Sequence, residues 1–134
     1  MTIFTKIIKG IIPSYKVYED DRFFAFLDIK PLREGHTLLV PKLCEPEEDY
    51  IFRLDDETLS LMIRVAKKIA VGIEKAVSCK RVGMAVLGLE VNHVHIHLIP
   101  IDSESDMLFS KERLEFSDEQ MCAISRRIRE SIGV

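Results

Sequence analysis

His93-Val94-His95-Ile96-His97-Leu98-Ile99-Pro100 holds three of the chain's four histidines. Successive side chains of a strand point to opposite faces, so this stretch reads as a strand with His93, His95 and His97 on one face. Val94, Ile96 and Leu98 face the other way and supply the packing. Alternate residues of a strand stand about 6–7 Å apart, and a row of polar rings at that spacing makes a poor core unless each finds a partner. A single histidine here would be read as structural. Three at alternate positions point to chemistry.

Two mechanisms fit the spacing. In one, His-x-His supplies two ligands to a zinc ion, with His36 as a third. In the other, one imidazole attacks an electrophilic phosphorus or carbonyl while its neighbours donate hydrogen bonds to the developing charge. Spacing alone does not choose between them.

Outward from the row, residues 3–9 read as a short helix closed by Gly10 and Pro13. Tyr15–Glu19 and Phe23–Leu27 read as two strands around the turn Glu19-Asp20-Asp21, antiparallel because the connection is too short for a crossover. His36–Val40 is a third strand ended by Pro41, and Glu45–Asp49 a surface loop or short helix. Leu59, Met62, Ala66, Ile69, Ile73 and Ala76 recur at helical spacing and predict a long helix over Asp55–Val77, with Asp55 as its N-cap. Gly72 inside it costs about 1 kcal/mol relative to alanine, so close packing is expected there. Val82–Leu87 and His95–Ile99 follow as strands. Ser117 and Gln120 form a capping box opening a last helix with Met121, Ile124, Ile128 and Ile132 on its apolar face. Arg126, Arg127 and Arg129 along it read as a solvated face. The order predicts an α+β fold, with helices packed on one antiparallel sheet of about five strands.

The chain has 134 residues, 47% hydrophobic and 31% charged, which suits one globular domain over residues 1–134 and excludes a disordered tail. Nineteen Lys and Arg against 22 Asp and Glu give a net charge of −3, which speaks against a nucleic-acid coat. Cys44, Cys79 and Cys122 are odd in number and far apart, so no disulfide framework is expected. No apolar run approaches membrane-span length, and the opening residues lack the layout of a signal peptide. A cytoplasmic address is expected.

The row resembles the His-x-His-x-His-x-x motif, x apolar, of the histidine triad (HIT) family. Further stretches resemble the same family: Ile3-Phe4-Thr5-Lys6-Ile7-Ile8 with Ile12-Pro13-Ser14, then Ala25-Phe26-Leu27-Asp28-Ile29-Lys30-Pro31, then Gly35-His36-Thr37-Leu38-Leu39-Val40-Pro41-Lys42. The similar part covers about residues 3–100, is nearest the Hint-like branch of nucleotide hydrolases, and leaves the helix at about 117–132 outside. The resemblance implies cleavage of a nucleoside-monophosphate conjugate, of AMP or GMP, through a covalent nucleotidyl-histidine. His95 would be the nucleophile, His97 would hydrogen-bond the phosphate oxygens, His93 would orient the nucleophile's ring, and His36 would be a buried polar partner. Asp28 would accept the ribose hydroxyls, with Ile12, Phe26 and Ile29 lining the base pocket. A homodimer joined through the long helix and a central strand is also implied, with Leu59, Met62 and Ile69 available to a core or an interface.

Three departures qualify the match. Where many relatives bind zinc through Cys-x-x-Cys, a later histidine and the first triad histidine, this chain has Thr2, Thr5 and Cys44, so no structural zinc and no cofactor are expected. Gly88-Leu89-Glu90 stands where a Gly-Gln-Ser or Gly-Gln-Thr segment is usual. Gly88 keeps its place beside the substrate, while Glu90, if desolvated, would become an acid able to protonate the leaving group. Val82–Leu87 lacks the asparagine that usually supports the leaving-group side. Two other function classes stay open beside the hydrolase: a nucleotide-binding or scaffold protein that does not turn over, favoured by Leu89-Glu90, and a metal-binding histidine cluster.

Overall fold

The computed structural model describes residues 1–42 and 49–133. Cys44 and most of the expected Glu45–Asp49 loop lie outside the described residues. Helix α1 (Ile3–Ile8) opens on Thr2, whose Oγ1 accepts from the Thr5 N–H at 3.1 Å. Strands β1 (Lys16–Glu19) and β2 (Phe23–Leu27) are joined through Asp20, whose Oδ1 accepts from the Arg22 and Phe23 N–H groups at 2.8 and 2.7 Å. A side-chain turn of this kind is why acidic residues mark the site in the sequence. Strand β3 (Thr37–Pro41), helix α2 (Asp56–Ala76), strands β4 (Arg81–Ala85) and β5 (Ile96–Ile101), and helix α3 (Asp118–Ile132) follow among the described residues.

The five strands form one sheet in the order β1-β2-β3-β5-β4, every neighbouring pair antiparallel. Strand β2 is buried on both faces. Phe23, Ala25 and Leu27 meet Met62, Ala66, Ile69 and Ile73 of α2 and Met121, Ile124 and Ile128 of α3 in one core. Phe24 and Phe26 join Leu38, Val40 and Phe4 of α1 in a second, smaller core on the opposite face. The α+β architecture is the one the periodicities predict. Met62 and Ile69 are fully buried against the sheet, which removes them from any interface.

Gly72 repays its helical cost through contact. A Cβ there would lie 2.4 Å from Ile132 Cγ1, so the glycine lets α3 close onto α2. The Ser117–Gln120 capping box is present, with reciprocal bonds of 3.1 and 2.8 Å. Arg126 and Arg127 do lie on an exposed face of α3, Arg127 beside the half-exposed Glu34 side chain at 3.4 Å, whereas Arg129 turns inward and donates to the Lys16 carbonyl of β1 at 2.6 Å.

Two strand boundaries differ from the sequence reading, and both matter to the site. Strand β5 begins at Ile96, so His93 lies in a bend and His95 in the irregular residues before the strand, and of the three only His97 lies within it. Strand β4 ends at Ala85, where its last pair is Ala85 with His97; beyond it, Gly88 takes a left-handed φ of +70°. The pairing of β4 with β5 stops at that pair. The gap between them opens over His95 and His97.

Candidate active site

The four histidines are buried, and each is fixed by a definite hydrogen bond. The Leu32 N–H donates to His36 Nδ1 at 3.0 Å, so the proton of neutral His36 sits on Nε2. That Nε2–H donates to His97 Nδ1 at 3.0 Å, which puts the proton of His97 on its Nε2. His95 Nδ1–H donates to the His93 carbonyl at 2.8 Å, leaving the lone pair on His95 Nε2. His93 donates from Nε2 to the Pro41 carbonyl and accepts at Nδ1 from the Thr2 hydroxyl, both at 2.8 Å. Backbone anchors thus set every tautomer. One ring offers a lone pair and its neighbour an N–H.

Burial drives all four rings toward the neutral form. It pushes His97 down to about 4, with help from the adjacent His95 and Arg113, and His36 down to about 3, with help from His97 and Arg113. Burial lowers His93 and His95 as well, and for His95 the carboxylates of Asp28 and Glu90 work in the opposite direction. The rings pack edge to face. His95 and His97 centroids are 5.0 Å apart, Phe4 stands 5.0 Å from His95, and Phe109 stands 4.8 Å from His97.

Asp28 occupies the turn after β2. Its N–H donates to the His36 carbonyl at 3.0 Å, and its Oδ1 accepts from the Lys30 N–H at 2.9 Å. Oδ2 lies 3.8 Å from His36 Nε2 and 3.6 Å from Arg113. Burial raises the Asp28 carboxyl above its ordinary range, opposed by the Lys30 N–H and Arg113.

A cavity of about 550 Å³ opens over these groups, a size suited to a small organic ligand. Asp28, Ile29, Gly88, Glu90, His95 and His97 line it, together with Phe4, Leu38, Phe109 and Arg113. His36 and His93 stand behind the wall as hydrogen-bonding partners. Phe26 and Ile12 are not brought to the cavity. Phe26 is buried beneath it with its ring 5.6 Å from Phe4, and Ile12 lies beyond the end of α1, its N–H bonded to the Lys6 carbonyl. Phe4 and Leu38 supply the apolar wall instead. Glu90 lines the cavity but is exposed at its rim beside Leu89, itself 89% exposed, so the burial that an acid role requires is missing. Phe109 and Arg113 escaped the sequence reading, because no local pattern singles them out.

Asp28, His36 and His97 each offer a donor atom, all within 4.8 Å of one another. The two rings already use those facing nitrogens on each other, so the grouping is closed as a hydrogen-bonded unit. The structural-zinc position of many relatives fares no better. Thr2 and Thr5 present hydroxyls bonded to each other at 3.1 Å, and both His93 nitrogens are already committed to Thr2 and Pro41. These residues do not fit a thiolate-rich zinc site.

The HIT domain family matches residues 9–104. The purine nucleoside phosphoramidase of Escherichia coli K12 is 38% identical over 105 residues, covering 73% of this chain and 85% of that protein. The adenosine 5'-monophosphoramidase HNT1 of Saccharomyces cerevisiae is 37% identical over 107 residues, covering 79% and 66%. Among solved structures, a HIT-like protein of Bartonella henselae superimposes with a TM-score of 0.79 at 31% identity, covering 97% of this chain and 95% of that one. The triad arrangement and these likenesses agree: the chain belongs to the HIT domain family.

Proposed function

We propose that this chain hydrolyses conjugates of purine nucleoside 5'-monophosphates, phosphoramidates or phosphoanhydrides, through a covalent intermediate on His95. The observation that carries the reading is the His95 tautomer. With Nδ1–H given to the His93 carbonyl, a neutral imidazole keeps its lone pair on Nε2 in a ring that lines the cavity.

In this reading His95 Nε2 attacks the phosphorus, a new N–P bond forms, and the bond to the leaving group breaks. His97 Nε2–H, backed by His36, donates to a non-bridging oxygen as charge develops on it. An amine leaving group takes a proton from water at the open Leu89-Glu90 rim. Water then attacks the same phosphorus, breaking the N–P bond and releasing the nucleoside monophosphate with His95 neutral again. Asp28 accepts from the ribose hydroxyls, and Phe4, Ile29 and Leu38 give the base an apolar surface. The relatives named as phosphoramidases support the reaction class.

The same reading includes a homodimer. Strand β4 is an uncovered sheet edge in the single chain, with Met84 and Ile63 of α2 exposed.

The test is release of AMP from adenosine 5'-phosphoramidate, compared with His95→Ala. A second reading, nucleotide binding without turnover, draws on the exposed rim, where Leu89 offers no hydrogen bond to a departing group. AMP binding with no turnover by the wild type would favour it.

A further inference from the structure

The cavity has a wall beyond the family match, which ends at residue 104, because Phe109 and Arg113 line it. The stretch that carries them is a strap held at several points. Asp106 pairs with Arg33 and Lys111, the Leu114 N–H donates to the Pro31 carbonyl at 2.8 Å, and Arg113 donates to the Lys30 carbonyl at 2.8 Å. Arg113 therefore meets the Asp28 turn on a fixed support.

The contacts close a clamp. Lys30 gives its N–H to Asp28 Oδ1 at 2.9 Å and its carbonyl to Arg113, whose guanidinium stands 3.6 Å from Asp28 Oδ2. The guanidinium carbon lies 5.8 Å over the Phe109 ring, and that ring packs on His97. Among the described residues, Arg113 is the one Lys or Arg within ion-pair distance of Asp28. His36, 3.8 Å from the same Oδ2, has its Nε2–H committed to His97. A mostly buried carboxylate needs fixed partners to keep one orientation, and accepting two vicinal hydroxyls demands one orientation.

From this juxtaposition we infer that Arg113 is a positioning residue for nucleotide recognition. It holds the Asp28 carboxylate in the orientation that accepts both ribose hydroxyls, so selection of ribose over 2'-deoxyribose depends on the strap that follows the HIT region. The inference rests on the nucleotide reading above and assigns a role to a residue outside the triad.

The test is calorimetric binding of AMP and 2'-deoxy-AMP to the wild type, Arg113→Met, Arg113→Lys, Asp28→Asn and the Asp28→Asn/Arg113→Met pair. The wild type is expected to prefer AMP. Arg113→Met should weaken AMP roughly tenfold, as for loss of one charge-assisted partner, and 2'-deoxy-AMP by less than about threefold. Arg113→Lys should recover part of the preference. In the Asp28→Asn background, Arg113→Met should add little, because a residue acting through Asp28 has nothing left to position. Equal weakening of both nucleotides, or a full Arg113 effect without Asp28, would overturn the inference while leaving the nucleotide reading intact. A wild type that binds neither nucleotide would overturn both. If Arg113→Met does not fold, Arg113→Gln is read in its place against the same outcomes.

Discussion

His36 Nε2 and His97 Nδ1 lie 3.0 Å apart in the buried wall of the cavity, and the Leu32 N–H on the far side of His36 decides which of them carries the proton. A backbone amide thereby controls, through two rings, the hydrogen-bonding sense of a ring that lines the cavity. His95 is controlled the same way by the His93 carbonyl, with the opposite result. The two neighbouring rings have identical chemistry and receive complementary roles from main-chain groups.

Breaking this relay should damage catalysis more than binding. His36→Phe fills the volume but gives His97 no donor, so its tautomer is no longer fixed. The expected result is a loss of kcat of about 10²-fold with KM within a few-fold, comparable to loss of one preorganised donor. His36→Gln, able to donate, should recover part of it. Steady-state kinetics on adenosine 5'-phosphoramidate checks both.

The buried histidines also predict an acid-labile fold. Their folded pKa values lie below the unfolded value near 6.5, so between the two the unfolded chain binds more protons than the folded one. Stability is therefore full above about pH 6.5 and falls as pH drops, each histidine contributing on the order of 1.4 kcal/mol per pH unit until its folded form protonates. For His97 that limit is about 4 and for His36 about 3. Urea unfolding across pH 4 to 8 measures the slope, and His36→Phe should reduce it.

Much of the frame was legible because it rests on periodicity. The α2 stripe, the Ser117–Gln120 capping box and the alternation of His93, His95 and His97 are local patterns with one physical meaning each. Even so, alternation did not reveal that β5 starts only at Ile96, since that depends on where β4 turns away at Gly88. Asp28, and His36 as a buried polar partner in place of a metal ligand, came from the family resemblance. Phe109 and Arg113 were not found at all. Arg113 bonds to Lys30 across 83 positions, and nothing near it in sequence signals that contact. The acid role assigned to Glu90 required burial, which sequence cannot supply and the exposed rim does not provide.

Glu90 should act by charge and not as an acid. Glu90→Gln removes a carboxylate from the mouth of the cavity in which the proposed reaction places an anionic phosphate. The expected outcome is a rise in kcat/KM of about two- to threefold at low salt that fades at high salt, with the shape of the pH profile unchanged. Kinetics at two ionic strengths decides this. A new pH dependence in the variant would restore the acid role.

Gly72→Ala tests the helix contact. Alanine improves helix propensity by about 1 kcal/mol, yet its Cβ meets Ile132 Cγ1 at 2.4 Å, and overpacking of this kind typically costs about 1–3 kcal/mol. Net destabilisation is expected in thermal unfolding, and Ile132→Ala should relieve it.

The proposed dimer should depend on the β4 edge. Met84→Lys places a charge on an exposed position of that strand and should convert a dimer to a monomer in sedimentation equilibrium without changing the unfolding cooperativity. A wild type that sediments as a monomer would remove the dimer from the account.

The central claim is that His95 becomes covalently nucleotidylated. Wild type and His95→Ala mixed with adenosine 5'-phosphoramidate, quenched in acetone within the first turnover and weighed by intact-protein mass spectrometry, test it directly. The account predicts an adenylyl adduct on the wild type that peptide mapping locates on His95, AMP release at a matching rate, and neither adduct nor release from His95→Ala. AMP release that survives in His95→Ala, or an adduct mapping to another residue, would contradict it.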